Sequence, residues 1–155
     1  MKKLICVLVG ILTLQASVAA EWRPSDALLR AVRVVESADG QNLYGDQGRS
    51  LGAFQLSEAA WADVSGWRKA RGLKLYSYRA HVMHDFINRA YAADYLAMIH
   101  GELSRKLHRP PTNGEIYAAY NMGLSHFAVC GYRMANVNPV TAKKCRQVHA
   151  MVEKG

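Results

Sequence analysis

The chain has 155 residues and carries 20 basic against 12 acidic side chains, a formal net charge of +8. That is the size of one domain able to bury a core without help. It contains no internal repeat, low-complexity tract or linker, and three cysteines with no Cys-x-x-Cys pair exclude a zinc-cluster module.

In chain order, the first feature is a leader. Lys2 and Lys3 form a short basic region, Leu4 to Leu14 an apolar run, and Ala16 to Ala20 a stretch of small residues. Val18 and Ala20 are placed for signal-peptidase cleavage before Glu21, so residues 1–20 are predicted to be a secretory signal peptide. The run is shorter than the roughly 18 apolar residues that span a bilayer, and no second candidate follows. The mature chain, residues 21–155, is therefore expected to be secreted or periplasmic, without a stable membrane anchor, and monomeric. Loss of Lys2 and Lys3 leaves 18 basic and 12 acidic side chains, a net +6. A basic exported protein suits an anionic partner such as the cell wall or the outer-membrane surface. Nucleic acid is excluded as a partner because export removes the protein from it.

The mature chain reads as helical with one irregular segment. Pro24, Ser25 and Asp26 are helix-start signals. Leu28, Ala31, Val32 and Val35 then fall at i, i+3, i+4 and i+7, one helix face. Gly40 to Gly52 holds four glycines and is expected to be loop, with a short hairpin pairing Leu43-Tyr44 with Ser50-Leu51. Ser57 is placed as the cap of a second helix, with Leu56 and Trp61 as a hydrophobic staple across its start. Asp85 to Leu107 is apolar on more than one side, the pattern of a buried central helix, and Pro110-Pro111 is expected to end it. Thr112-Asn113-Gly114-Glu115 has the form of a capping box. Ile116, Ala119, Tyr120 and Gly123 follow as a tight inward face. Asn138-Pro139 opens a last helix that carries Cys145.

Glu36 is the most informative residue. Leu28, Val32 and Glu36 stand at i, i+4 and i+8, so its carboxyl projects from the apolar face. A carboxyl set against apolar surface has its charged form disfavoured, and an acid that keeps its proton near neutral pH is what a glycosidase uses on a leaving oxygen. Position alone favours the plainer alternative, a solvated glutamate at a fraying helix end.

Context separates these readings. A helix ending in Glu36-Ser37, then Gly52-Ala53-Phe54-Gln55, then Ala118-Ala119-Tyr120-Asn121-Met122-Gly123 appear in that order. In this the chain resembles the lysozyme-like superfamily, soluble lytic transglycosylases in particular, over residues 28–56 and 112–123. The resemblance implies a mostly α, two-lobed domain with a small β or irregular segment at residues 40–56 and a cleft between that segment and the helices. It implies cleavage of peptidoglycan glycan strands at the MurNAc-GlcNAc β-1,4 bond, without a cofactor or metal. Glu36 matches the catalytic acid. Gln55 matches a glutamine lining the sugar cleft, where an amide can donate to and accept from the ligand. Tyr120 and Asn121 match a pair beside the acid, with the Tyr120 phenol set to bond Glu36. Gly52 would let backbone approach the glycan closely. Ser50 joins the candidate substrate contacts, and Tyr78, in an irregular stretch with Tyr76, is the aromatic candidate for ligand contact. Trp61 is better read as core.

The match has departures. Gly45-Asp46-Gln47-Gly48 precedes the glutamine where transglycosylases carry no acid. The segment resembles goose-type lysozymes, whose second acid falls here at Ser57 and is missing. Phe54-Gln55-Leu56 with Glu58 to Asp63 is similar to invertebrate-type lysozymes, without their cysteine richness. The distinction is chemical: a hydrolase needs a second carboxylate to activate water or act as nucleophile, whereas a lytic transglycosylase needs one. Asp46 is thus a candidate second catalytic residue, or else a brace for its own turn. A third reading is non-enzymatic, a wall-binding or secretion-assembly accessory, and service to an envelope-spanning secretion machine is compatible with the small size.

Two further signals stand in the mature chain. Cys130 and Cys145 are the only cysteines of the mature chain, and in an oxidising compartment an even count predicts one disulfide. Gly48-Arg49-Ser50-Leu51-Gly52 spells the nucleophile elbow of α/β-hydrolases, but that motif needs a strand before and a helix after its serine, and alternating strands are missing.

Overall fold

The computed structural model describes residues 21–154. The leader read in residues 1–20 lies outside them, as does Gly155. Among the described residues there are seven helices and one small three-stranded antiparallel sheet, the mostly α class that the periodicities predict.

Helix α1 (Asp26–Ser37) begins where Ser25 Oγ accepts the Leu28 N–H at 3.1 Å. Such a cap contributes about 1 kcal/mol. The stripe of Leu28, Leu29, Ala31 and Val32 is buried, and the helix stops at Ala38, which turns left-handed at φ 50. The short hairpin follows: β1 (Tyr44–Gly45) pairs with β2 (Ser50–Leu51), Tyr44 opposite Leu51, and β2 pairs in turn with β3 (Leu56–Ser57). Ser57 caps α2 (Glu58–Lys69) by accepting from the Ala60 N–H at 3.2 Å, and Leu56 and Trp61 flank that cap inside the core. Trp61 stacks on Tyr91 with ring centroids 3.7 Å apart, so its core reading holds. The stretch around Tyr76 contains one helical turn, α3 (Tyr78–His81).

Helix α4 (Asp85–Leu107) is the central element. Tyr91, Ala92, Leu96, Ile99 and Leu103 are all inaccessible to solvent. Full burial of each large aliphatic side chain contributes about 1.5–3 kcal/mol. The helix does not run to the prolines. It ends at Leu107 because His108 adopts the left-handed conformation, φ 53, and Pro110-Pro111 only prevents it from resuming. Helix α5 (Asn113–Met122) opens on the predicted capping box: Glu115 N–H donates to Thr112 Oγ1 at 3.2 Å, and Thr112 N–H donates to Glu115 Oε2 at 2.8 Å. The Arg109 guanidinium, donating to Glu115, holds that carboxyl below the usual glutamate range. A short helix that the periodicity did not predict, α6 (Leu124–Val129), follows Gly123. The last helix, α7 (Pro139–Val152), is capped by Asn138. It packs against both α1 and α5, while α5 also packs against α4 and α6. The C-terminal end of α1 therefore meets α5 and α7 at one place, and the site lies there. No described helix is long and apolar enough to cross a membrane.

The expected disulfide is not formed; Cys130 and Cys145 are both free thiols. The two sulfurs are taken up by different surroundings. Cys145 lies on the inward face of α7 with Thr141 and Val148, and burial pushes its thiol pKa up to about 11. Cys130 closes α6, where its thiol donates to the Asn136 carbonyl at 3.4 Å. Thiolate is the reactive form, so a disulfide-exchange reagent should label Cys130 first in the native protein, with Cys145 reacting only after unfolding. Two equivalents are expected without reductant. Titration of no thiol in the unfolded, unreduced protein would restore the disulfide.

Candidate active site

Glu36 occupies the last turn of α1, and its side chain is only 8% exposed. Three groups from two other helices converge on it. Tyr117 donates its hydroxyl to Oε1 at 2.5 Å and Asn121 donates Nδ2 to the same oxygen at 3.2 Å. Lys144 Nζ stands 3.4 Å from Oε2. Tyr117 and Asn121 are i and i+4 on α5 and so share a face. Burial, with the Glu36 carboxylate beside it, raises the Tyr117 pKa far above that of a free phenol, so this tyrosine is a permanent donor. With Oε1 taking both neutral donors, Oε2 is the oxygen left for Lys144 and for a ligand.

The acid opens on a cavity of about 260 Å³ lined by Gly45, Asp46, Ser50, Gln55, Tyr120, Asn121 and Lys144 besides Glu36 itself. A neighbouring cavity of about 580 Å³ shares Asp46, Ser50, Gln55, Tyr120 and Asn121 with it. That second cavity continues along β3, α2 and the α5–α6 junction, past Ser57, Asp63 and Gly123 to His126. The two form one cleft between the sheet segment and the helices, in the size range of ligand sites. Its lining around Glu36 is almost entirely polar, which suits a hydroxyl-rich ligand better than an apolar one.

The sequence motifs divide here into groups that touch the acid and groups that build the turn beside it. The Gly52–Gln55 turn has its backbone held from three helices. Ser37 donates its hydroxyl to the Ala53 carbonyl at 2.7 Å, Asn88 Oδ1 accepts the Phe54 N–H at 2.9 Å, and Tyr120 donates to the Phe54 carbonyl at 2.6 Å. Buried backbone groups need such partners, and this turn obtains them from α1, α4 and α5. The serine after the acid is therefore a clamp between helix and turn.

Several predicted roles are corrected by this geometry. Tyr120 does not bond Glu36: three residues from Tyr117 on α5, it faces the turn, and Tyr117 takes the predicted place. Gln55 lines the cleft as expected, and its amide is also tied into the turn. Its Nε2 donates to the Asn42 and Gly52 carbonyls, both at 2.9 Å. Its Oε1 is buried without a hydrogen-bond partner, against Gly45, where an added Cβ would come within 1.9 Å of it. Gln55 is also left-handed at φ 49, a strained conformation of the kind that gathers at sites. Gly52 lines neither cavity of the cleft. It permits a close approach of a different kind, to the Val82 carbonyl and the Asn88 amide. Tyr78 is not in the cleft either; its hydroxyl donates to the Leu56 carbonyl at 3.0 Å, and its ring meets Trp61 edge-on.

Asp46 and Ser50 do line the cleft with Glu36. Ser50 donates to Asp46 Oδ2 at 3.0 Å, and the Asp46 carbonyl accepts from the Arg49 backbone N–H at 3.3 Å and from Arg49 Nε at 3.0 Å. Asp46, Gln47 and Gly48 are all left-handed, so this aspartate is at once an exposed carboxylate and the brace of its own turn. Asn121 keeps its predicted place beside the acid. Tyr117 and Lys144 were missed. The i, i+4 spacing of Tyr117 from Asn121 was the available signal for the first. Lys144, 108 residues from Glu36 in sequence, left none.

Comparison with family models, with curated proteins and with solved structures finds no match for this chain.

Proposed function

We propose that this chain is an exported enzyme that cuts the glycan strands of peptidoglycan, of lytic transglycosylase type, with Glu36 as general acid and then general base. The observation that carries the reading is the Glu36 carboxyl: almost buried, with Oε1 fixed by Tyr117 and Asn121 and Oε2, beside Lys144, turned to a polar cleft. In this reading the Oε2 proton passes to the leaving glycosidic oxygen as its bond to the anomeric carbon breaks. The substrate's N-acetyl group stabilises the resulting cation. The 6-hydroxyl of the same sugar then bonds to the anomeric carbon and returns its proton to Glu36, closing a 1,6-anhydro ring without consuming water. One carboxylate suffices, and the Ser50 bond to Asp46 supports a bracing role for the second.

The placement of Asp46 in the same cavity as Glu36 favours one competing reading, a lysozyme-type hydrolase with Asp46 as its second carboxylate. Product analysis separates them. Mass spectrometry of the soluble products from purified sacculi is expected to find anhydro-muramic ends. Asp46→Asn, which keeps much of the hydrogen bonding, is expected to lower activity by less than about tenfold, a barrier change below roughly 1.4 kcal/mol. Reducing ends together with a loss of about 10²-fold or more in Asp46→Asn would establish the hydrolase instead. A wild-type protein that releases no product from sacculi would leave the wall-binding accessory.

A further inference from the structure

We propose that Asn138 and Thr141, in the first turn of α7, are positioning residues for Glu36, acting through a hydrogen-bond relay that fixes which end of the Asn121 amide faces the acid. The inference rests on the reading of Glu36 as the acid.

The relay has a fixed direction because it starts from a backbone donor. Thr141 N–H donates to Asn138 Oδ1 at 2.9 Å. That contact sets the orientation of the Asn138 amide, whose Nδ2 then donates to Thr141 Oγ1 at 3.0 Å. The Thr141 hydroxyl, having accepted, gives its single proton to Asn121 Oδ1 at 2.9 Å. With Oδ1 engaged, Asn121 presents Nδ2 to Glu36 Oε1. Each member has one orientation consistent with its neighbours. Thr141 is buried, at 4% exposure, and lines neither cavity of the cleft, so it acts only through Asn121.

The alternative orientation shows what the relay prevents. An amide without the Thr141 donor can rotate and turn Oδ1 toward Glu36 Oε1. Two acceptors then face each other, and Tyr117 alone holds the carboxyl. The relay therefore ties the acid's geometry to the cap of a helix whose first turn is more than 100 residues away in sequence. The same helix delivers Lys144, three residues after Thr141, to the other carboxylate oxygen. An ordinary helix cap would need only the Asn138 bond to the Thr141 backbone. The hydroxyl step from Thr141 to Asn121 lies outside capping.

The test uses five variants of the mature protein, Thr141→Val, Thr141→Ser, Asn138→Asp, Asn121→Ala and Asn121→Ala/Thr141→Val, with soluble glycan-strand fragments as substrate. Thr141→Val keeps the shape and removes the hydroxyl; kcat should fall about tenfold, the scale of losing one buried hydrogen bond, with KM unchanged. Thr141→Ser should restore kcat to within about twofold. Asn138→Asp keeps an equally good cap but removes the Nδ2 donor and offers the Thr141 hydroxyl a second acceptor; kcat should fall while Tm is kept or raised. The double variant Asn121→Ala/Thr141→Val should be no slower than Asn121→Ala alone, since residues acting in one chain are not additive. A readout independent of turnover is hydrogen exchange of the Asn121 side-chain amide by NMR. It should be slow in wild type and Thr141→Ser and at least tenfold faster in Thr141→Val. Wild-type kcat in Asn138→Asp, additive losses in the double variant, or unchanged Asn121 exchange in Thr141→Val would each overturn the relay. If the wild-type protein cuts no glycan, the reading of Glu36 fails, and the amide exchange still decides the relay.

Discussion

Glu36→Gln is expected to lower turnover on purified sacculi by at least ~10²-fold, up to ~10⁴-fold, the range that general acid catalysis supplies, with the circular dichroism spectrum unchanged. The structure explains why the change is selective. Glutamine keeps an oxygen to accept from Tyr117 and Asn121, so the two bonds that hold the side chain survive. What is lost is the carboxyl oxygen beside Lys144 and the proton that it exchanges. Lys144 is partly exposed, so its ammonium can turn to water when the carboxylate is gone. Turnover by Glu36→Gln close to that of wild type would remove the acid from Glu36 and the proposed reaction with it.

Gly52→Ala is expected to have the largest effect on stability, roughly 2–4 kcal/mol, which lowers Tm by on the order of 10 °C in a domain of this size. Two costs combine. Gly52 is left-handed at φ 78, where a side chain is strained. Its new Cβ would also lie 2.5 Å from the Val82 carbonyl oxygen and 2.6 Å from Asn88 Nδ2. Overpacking of that kind costs about 1–3 kcal/mol, and neither neighbour can yield freely. Val82 O is backbone, and Asn88 accepts the Phe54 N–H; displacing it would leave a buried donor unpaired. Gly48→Ala is the control, because it has a comparable φ of 85 with open space around it. It should cost only the conformational share, roughly 1–2 kcal/mol. Equal melting losses in the two variants would show that the close approach at Gly52 contributes nothing.

The corrected residues share a physical pattern. Gln55, Gly52 and Tyr120 are the groups expected to face a ligand; Gln55 and Tyr120 do line the cleft, and all three also complete the turn beside the acid. A sequence motif marks residues that the architecture requires without distinguishing those that touch a ligand from those that hold up the ones that do. Tyr117 and Tyr120 make the point within one helix. They differ by three positions, and which phenol reaches Glu36 depends on how α5 is rotated about its axis, a quantity set by packing against α4, α6 and α7. The cysteines follow the same rule. Their even count said nothing about where the sulfurs point, and α7 turns Cys145 into the core.

The sequence by itself determined the local elements: the Ser25, Ser57, Thr112 and Asn138 caps, the presence of a hairpin between Tyr44 and Leu51 though not its register, which lies one residue on from the expected pairing, and the span of α4. It also determined that Glu36 leaves the first helix from its apolar side. Tertiary structure alone decided what surrounds that carboxyl. Tyr117, Asn121 and Lys144 lie 81, 85 and 108 residues away in the chain. Their convergence follows from the way α5 and α7 close on the end of α1, and helical periodicity fixes which face a residue occupies but not which partner that face will meet.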